Sequence, residues 1–292
     1  MTKKIKDKVP VQQLLVPKYI LNISKILTKI SPLIASRFAA RLFLTPFKYK
    51  LHPREREMDE ESVQSTVRIP KINRDIIVYD YGEGEKKVLL VHGWSSRGTQ
   101  MSKIARSLKT EGYRLISFDA PAHGKAPGKI SMMPFFIEAV HYLNKVCGPF
   151  DAVVGHSLGG MSALRAIREG LKTQKLVLIG TANSVTHITR DFAKNMKMND
   201  LVASKMKRYL DKKFEQDMDL YSGAESAKYV TTSTLIIHDE EDVDVAVSSA
   251  HEIDKALTNS ELYITSNLGH RRILGDEAVI NKITTFITAQ SL

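Results

Sequence analysis

The pentapeptide Gly155-His156-Ser157-Leu158-Gly159 constrains this chain more than any other feature. It follows the apolar run 151–155 and opens the helix-like run 158–170. A G-x-S-x-G pattern between strand and helix predicts a sharp turn with the serine exposed at its tip. The glycines let the backbone turn tightly and leave room around the side chain. The serine then stands at the carboxyl end of a strand, where open α/β sheets bind ligands. The N-terminus of the next helix favours developing negative charge beside it.

The surrounding pattern supplies the sheet that such a turn needs. Strand-like runs fall at 67–72, 76–81, 88–93, 114–119, 151–155, 175–180, 233–239 and 261–266. Helix-like runs at 99–110, 132–146, 158–170, 246–257 and 276–288 lie between most of them. The first two strands leave no room for a helix and read as a hairpin. The later alternation predicts an α/β fold, a mostly parallel central sheet with helices on both faces. Residues 184–230 form an insertion that reads as helical around 188–215, with Ile188, Phe192, Met196, Met198, Leu201, Val202, Met206, Tyr209 and Leu210 mostly three or four apart. It reads either as a helical lid over a pocket or as ordinary packing on the core.

Charge divides the chain differently. Residues 1–54 hold twelve Lys and Arg against Asp7 alone, so this segment carries the whole net charge of +11. Residues 1–10 read as a solvated tail. Within 17–47, Ile20, Ile23, Ile26, Leu27, Ile30, Leu33, Ile34, Phe38, Leu42 and Phe43 recur at helical spacing among basic residues. Pro32 should end or kink a first helix near Ile30, and Pro46 should stop a second. The acidic stretch 52–65 reads as a linker. Residues 1–60 are thus a basic amphipathic helical arm with its linker, and 66–292 the α/β domain. The arm has three readings: packed on the body, lying in an anionic membrane interface through residues 17–50, or a targeting peptide. A nucleic-acid partner is not expected, since few aromatics interleave the basic residues and no known module is present.

No run of about 18 apolar residues predicts a membrane span, and no secretory signal pattern follows the basic start. The lone Cys147 excludes an intramolecular disulfide framework and a multi-cysteine metal site, and fits a reducing compartment. The chain is expected in the cytoplasm, with the arm able to hold it at a membrane.

A serine hydroxyl is a weak nucleophile and needs a base, itself oriented by a carboxylate. His270 follows the last strand, and Gly269 before it lets the loop aim the ring. After Leu235-Ile236-Ile237-His238, the carboxylates Asp239, Glu240, Glu241, Asp242 and Asp244 compete for the third role.

At these residues the chain resembles the α/β-hydrolase superfamily of esterases and lipases, over about residues 70–290. The resemblance implies the chain order serine, acid, histidine. His238-Asp239-Glu240-Glu241-Asp242-Val243-Asp244-Val245 is similar to the family's H-G-x-x-D-x-x-V, with Asp239 in the glycine place. That match selects Asp242 as the acid, with Asp244 as the other candidate. Val91-His92-Gly93-Trp94 resembles the oxyanion-hole motif, which implies that the backbone N–H groups of Trp94 and Leu158 bind an oxyanion. Asp119-Ala120-Pro121-Ala122-His123-Gly124 looks like the family's D-x-P-G-H-G loop. His123 is expected to be structural, as are His92, His141, His156, His187, His238 and His251. A serine at the turn argues against the dehalogenase and epoxide-hydrolase branches, which use aspartate there.

The expectation is therefore a serine hydrolase that cleaves a carboxylic ester through an acyl-enzyme. Ser157, His270 and Asp242 are the triad, and no cofactor or metal is expected. A thioesterase, amidase or lysophospholipase could use the same triad, and a membrane-tethered binding protein on this fold is the alternative of another class.

Overall fold

The computed structural model describes Pro10 and residues 16–289. The tail expected over residues 1–10 lies, apart from Pro10, outside the described residues. Eight strands form one sheet in the order β1-β2-β4-β3-β5-β6-β7-β8. They are β1 (Val63–Ile69), β2 (Arg74–Tyr81), β3 (Lys87–Val91), β4 (Arg114–Asp119), β5 (Ala152–His156), β6 (Lys175–Ile179), β7 (Ser233–Asp239) and β8 (Ser260–Thr265). β1–β2 and β2–β4 pair antiparallel, and the remaining pairs are parallel.

Alternate residues of the central strands feed two cores, as a sheet covered on both faces requires. Leu89, Val91, Val153 and Leu178 face one side, and Val88, Leu90, Val154 and Ile179 face the other. On the first side lie α5 (Met133–Cys147), α6 (Leu158–Arg168) and α10 (Ser248–Ala256); on the second lie α4 (Ser102–Thr110) and α12 (Glu277–Thr288).

The arm forms two helices, α1 (Lys18–Ile30) and α2 (Pro32–Phe43). Pro32 opens the second helix, where its missing N–H costs nothing, and the Ser31 hydroxyl caps the same end. The small residues Ala35, Ser36, Ala39 and Ala40 are buried and let α2 pack closely against α8 (Asp200–Lys213). The arm therefore packs on the body. Its apolar residues do not all face inward, however. Ser24 and Ser36 are buried, while Ile23, Ile26, Ile30, Leu33 and Ile34 are exposed.

Two expected boundaries change. The stretch 52–65 is not a free linker. It holds a short helix α3 (Arg56–Glu61) whose Met58 is buried, and then the start of β1. Its acids dock on neighbouring cations: Glu57 on Arg106, Asp59 on Lys125 and Glu61 on Lys109. Acidic composition signalled solvent, but the partners sit on α4 and on the loop after β4. The first strand also ends at Ile69 rather than running to 72, because Pro70 opens a 3-10 turn.

Between β6 and β7, residues 184–230 hold α7 (Val185–Asn195), α8 and α9 (Gly223–Ala227). Val202, Met206 and Leu210 of α8 are buried, whereas Leu201 of the expected apolar stripe is exposed. No described helix is long and apolar enough to cross a membrane.

Candidate active site

Ser157 sits between β5 and α6 with φ 54° and ψ −120°. Such a conformation in a residue with a Cβ costs about 1–3 kcal/mol and persists only where its surroundings enforce it. Here the Ser157 N–H donates to the Ile179 carbonyl at 2.9 Å, and its own carbonyl accepts from Gly160 N–H at 3.0 Å. The two glycines of the pentapeptide are required by close approach. A Cβ on Gly155 would lie 2.6 Å from Gly160 Cα, and one on Gly159 would lie 2.1 Å from the Val91 carbonyl oxygen.

His270 and Asp242 meet at the ends of the last two strands. His270 lies in a four-residue helix, α11 (Gly269–Arg272), entered through Asn267 and Gly269, both at φ 62°. Its Nδ1 lies 2.7 Å from Asp242 Oδ2. Asp242 Oδ1 accepts from the N–H groups of Asp244 and Val245, each at 2.9 Å. Burial alone would raise the Asp242 carboxyl, but the adjoining His238 and His270 rings hold it well below the usual carboxylate range. For His270, burial works against the charged ring, and the bond to Asp242 more than offsets it, so its pKa is raised. Of the five competing carboxylates, it is Asp242 that touches the His270 ring, while Asp244 adds a more distant negative field.

Asp239, in the place where the family pattern has glycine, joins the two loops. Its Oδ1 accepts from Glu241 N–H at 3.1 Å, and its Oδ2 from Thr265 Oγ1 at 2.8 Å and Leu268 N–H at 3.0 Å. One buried carboxylate thus braces both the acid loop and the histidine loop.

The loop 91–97 lies against the serine turn. A Cβ on Gly93 would come within 2.9 Å of His156 Nδ1 and 3.1 Å of Ser157 Cβ. Among the described residues, neither Trp94 N–H nor Leu158 N–H donates a hydrogen bond, so both are available to an incoming oxygen. His92 fixes this loop by accepting from Ala120 N–H at 3.1 Å and donating to the Gly93 carbonyl at 2.7 Å. Behind it, Asp119 accepts from Gly98 N–H, Lys125 N–H and Tyr79 Oη. These bonds brace the Asp119 to Gly124 loop, and His123 within it meets Trp94 and Phe136 edge-on and His92 at a tilt.

Two histidines expected to be structural touch the candidate triad. His156 Nε2 donates to the His270 carbonyl at 2.9 Å, and its ring lies 4.7 Å from the His270 ring. His238 Nε2 donates to Val245 O at 2.9 Å and lies 3.5 Å from Asp242 Oδ2. His156 is next to Ser157 in the chain and His238 is four residues before Asp242, a signal present in the sequence but shared by other neighbours. His141 instead pairs with Glu169 at the surface.

Ser157, Leu158, Trp94 and His270 line one cavity of about 350 Å³. Its remaining walls are largely apolar and come from distant segments. Phe192, Leu210 and Phe214 are contributed by the 184–230 stretch, and Leu42, Phe43, Phe47 and Tyr49 by the arm. Phe43 stacks on Trp94 at 6.4 Å and meets Phe192 edge-on at 5.2 Å. The segment after α2 is tied down by Phe47 N–H to Ser95 Oγ at 2.9 Å and by Tyr49 to the Ser95 carbonyl. Sequence periodicity gave no sign that the arm reaches the site, because contacts between segments about fifty residues apart leave no local pattern. Among the described residues no group of three or more His, Cys, Asp or Glu is placed to hold a metal ion.

Residues 88–270 match the model of the alpha/beta hydrolase family. The chain therefore belongs to the alpha/beta hydrolase family. Solved structures with the same fold include an esterase from Exiguobacterium antarcticum, at 16% identity, with 78% of this chain and 100% of that chain covered and a TM-score of 0.62. An esterase from Pyrococcus furiosus matches at 18% identity over 84% of this chain and 96% of that one, with a TM-score of 0.62. A bacterial membrane phospholipase A, described as a virulence factor, matches at 18% identity over 80% and 87%, with a TM-score of 0.60. No curated protein matches the chain.

Proposed function

We propose that this protein is a serine hydrolase that cleaves a carboxylic ester through an acyl-enzyme. The observation that carries this reading is the 2.7 Å bond from His270 Nδ1 to Asp242 Oδ2, made at the wall of the cavity that Ser157 also lines. With its Nδ1 proton held by Asp242, His270 presents an unprotonated Nε2. In the first step, Ser157 Oγ bonds to the ester carbonyl carbon and its proton passes to His270 Nε2. The carbonyl oxygen becomes an oxyanion held by Trp94 and Leu158 N–H, each such donor being worth about 3 kcal/mol. The carbon–oxygen bond to the alcohol then breaks, and the alcohol leaves with the proton from His270. Water repeats the sequence on the acyl-serine and releases the acid. The 184–230 stretch serves as a cover over the acyl pocket, since it contributes Phe192, Leu210 and Phe214 to the wall.

The test is turnover of short p-nitrophenyl esters and labelling by a fluorophosphonate probe. Wild type should do both, and Ser157→Ala neither. Undiminished labelling of Ser157→Ala would move the nucleophile elsewhere, and an unreactive wild type would favour a binding role for the fold.

A further inference from the structure

Helix α1 is apolar on two sides, and among the described residues only one of them packs on the body. Its inward side carries Ile20, Leu21, Ser24 and Leu27. Tyr19, Ile23, Ile26 and Ile30, spaced four, three and four residues apart, form a narrow stripe on the other side. Leu33 and Ile34 extend that stripe onto the start of α2. These six side chains are between 41% and 70% exposed. Scattered exposed apolar residues are ordinary, but six adjoining ones on a helix pair are not.

We infer that this face docks the protein on an anionic lipid surface. Charge supports that occupant. Lys18, Lys25 and Lys29 run along one flank of the stripe, and the exposed Arg37 and Arg41 continue from it on α2. None of the five forms an ion pair among the described residues, and residues 8–54 contain no acid. Among the described residues, Arg37 lies over the face of Tyr209. An aliphatic stripe beside an uncompensated basic row, with an aromatic at one end, is the pattern of a helix lying in a membrane interface. A second copy of the chain fits less well. A two-fold interface would set the same uncompensated cations near one another.

Docking there also bears on the substrate, and this part rests on the ester-hydrolase reading. Leu33 belongs to the exposed stripe, and Leu42 on the same helix lines the cavity. They are nine residues apart, about 14 Å along the helix axis. One short helix therefore joins the lipid face to the wall of the acyl pocket. The substrate class is a membrane-borne acyl ester taken from the surface on which the arm rests.

The test is co-sedimentation of the full chain with phosphatidylcholine–phosphatidylglycerol vesicles and with phosphatidylcholine alone. Wild type and Ser157→Ala should both bind the anionic vesicles and bind the neutral ones far less, so docking is scored apart from catalysis. Lys18→Ser/Lys25→Ser/Lys29→Ser should lose about a hundred-fold in affinity for the anionic vesicles. Ile26→Ser/Ile30→Ser should lose a similar factor, about a hundred-fold. Both variants change exposed side chains, so they should keep the wild-type melting temperature and turnover of p-nitrophenyl butyrate. Their hydrolysis of lysophospholipid held in anionic vesicles should fall with their binding. Failure of the wild type to bind anionic vesicles, or equal binding by the variants, overturns the docking face. A dimer that Ile26→Ser/Ile30→Ser dissociates, without vesicle binding, would give the face to a second copy instead. Vesicle binding with no lysophospholipid hydrolysis would keep the docking face and overturn the substrate class.

Discussion

Asp242 uses both carboxylate oxygens, one on His270 Nδ1 at 2.7 Å and the other on the N–H groups of Asp244 and Val245. The carboxylate is therefore fixed before it fixes the ring. Asp242→Asn keeps the shape but no longer holds the tautomer with an unprotonated Nε2. In a serine–histidine–aspartate site this costs about 10⁴-fold in kcat. We expect a loss of that order in ester turnover, with KM little changed. Asp244→Asn should cost far less, since Asp244 acts on His270 only through its field. A reversed ranking of the two variants would transfer the role to Asp244.

The same bond sets the pH profile. His270 accepts a proton only when its ring is neutral. Its pKa is raised above 6.5 by Asp242, against the opposing effect of burial. The acid limb of kcat/KM should therefore fall as pH drops through a value above 6.5, rather than below it. In Asp242→Asn the residual activity should persist to lower pH. An acid limb well under 6.5 in the wild type would count against His270 as the base.

Stability should follow a different curve. Burial drives the pKa of His92 to about 4 and that of His156 to about 3, and holds His123 well below 6.5. These rings stay neutral in the fold and charge in the unfolded chain, so each loses stability as pH falls below 6.5. Three protons correspond to a slope of about 4 kcal/mol per pH unit where all three differ. The raised Asp119 carboxyl opposes this by at most one proton. Asp242, being depressed, loses stability only below its unfolded value of 3.8. The raised His270 acts above 6.5, where its contribution is lost as pH increases. Urea melts from about pH 7.5 to about pH 4.5 should thus give a maximum near neutrality and a steep acid-side fall. A flat curve down to about pH 5 would mean that the buried rings have found protons or water.

What could be read from sequence was what local pattern carries. The strand before Ser157 and the helix after it declared the turn, because glycine spacing and apolar runs are local. His270 and Asp242 could be placed on loops after β8 and β7 for the same reason. Asp239 could not be understood that way. It departs from the expected glycine, and its purpose is visible only when β7 and β8 lie side by side and its carboxylate reaches Leu268. The stretch 52–65 failed for a related reason, since Glu57 and Glu61 look solvated until α4 brings Arg106 and Lys109 to them. The arm misled in the opposite sense. Helical spacing found its apolar residues, but a helix with two apolar sides gives no sign of which one is buried. The buried side of α1 is marked by Ser24, which hydropathy would place outside.

Phe43 tests whether the arm belongs to the active site. Its ring stacks on Trp94, meets Phe192 edge-on and lines the cavity, so it joins the arm, the loop 91–97 and α7 at one point. Phe43→Ala removes two aromatic contacts from a half-buried position. The fold should lose about 2–3 kcal/mol, less than for a fully buried phenylalanine. The more informative effect is on substrate choice. Removing the ring widens the cavity beside the Trp94 face without altering Ser157, His270 or Asp242. In a p-nitrophenyl ester series, kcat/KM for the shortest chains should fall and the optimum should move to longer or bulkier acyl groups. Fluorophosphonate labelling of Ser157 should survive, which separates a reshaped pocket from a collapsed site. An unchanged chain-length optimum, with the expected loss of stability, would mean that Phe43 secures the arm to the body but does not form the wall that acyl groups meet.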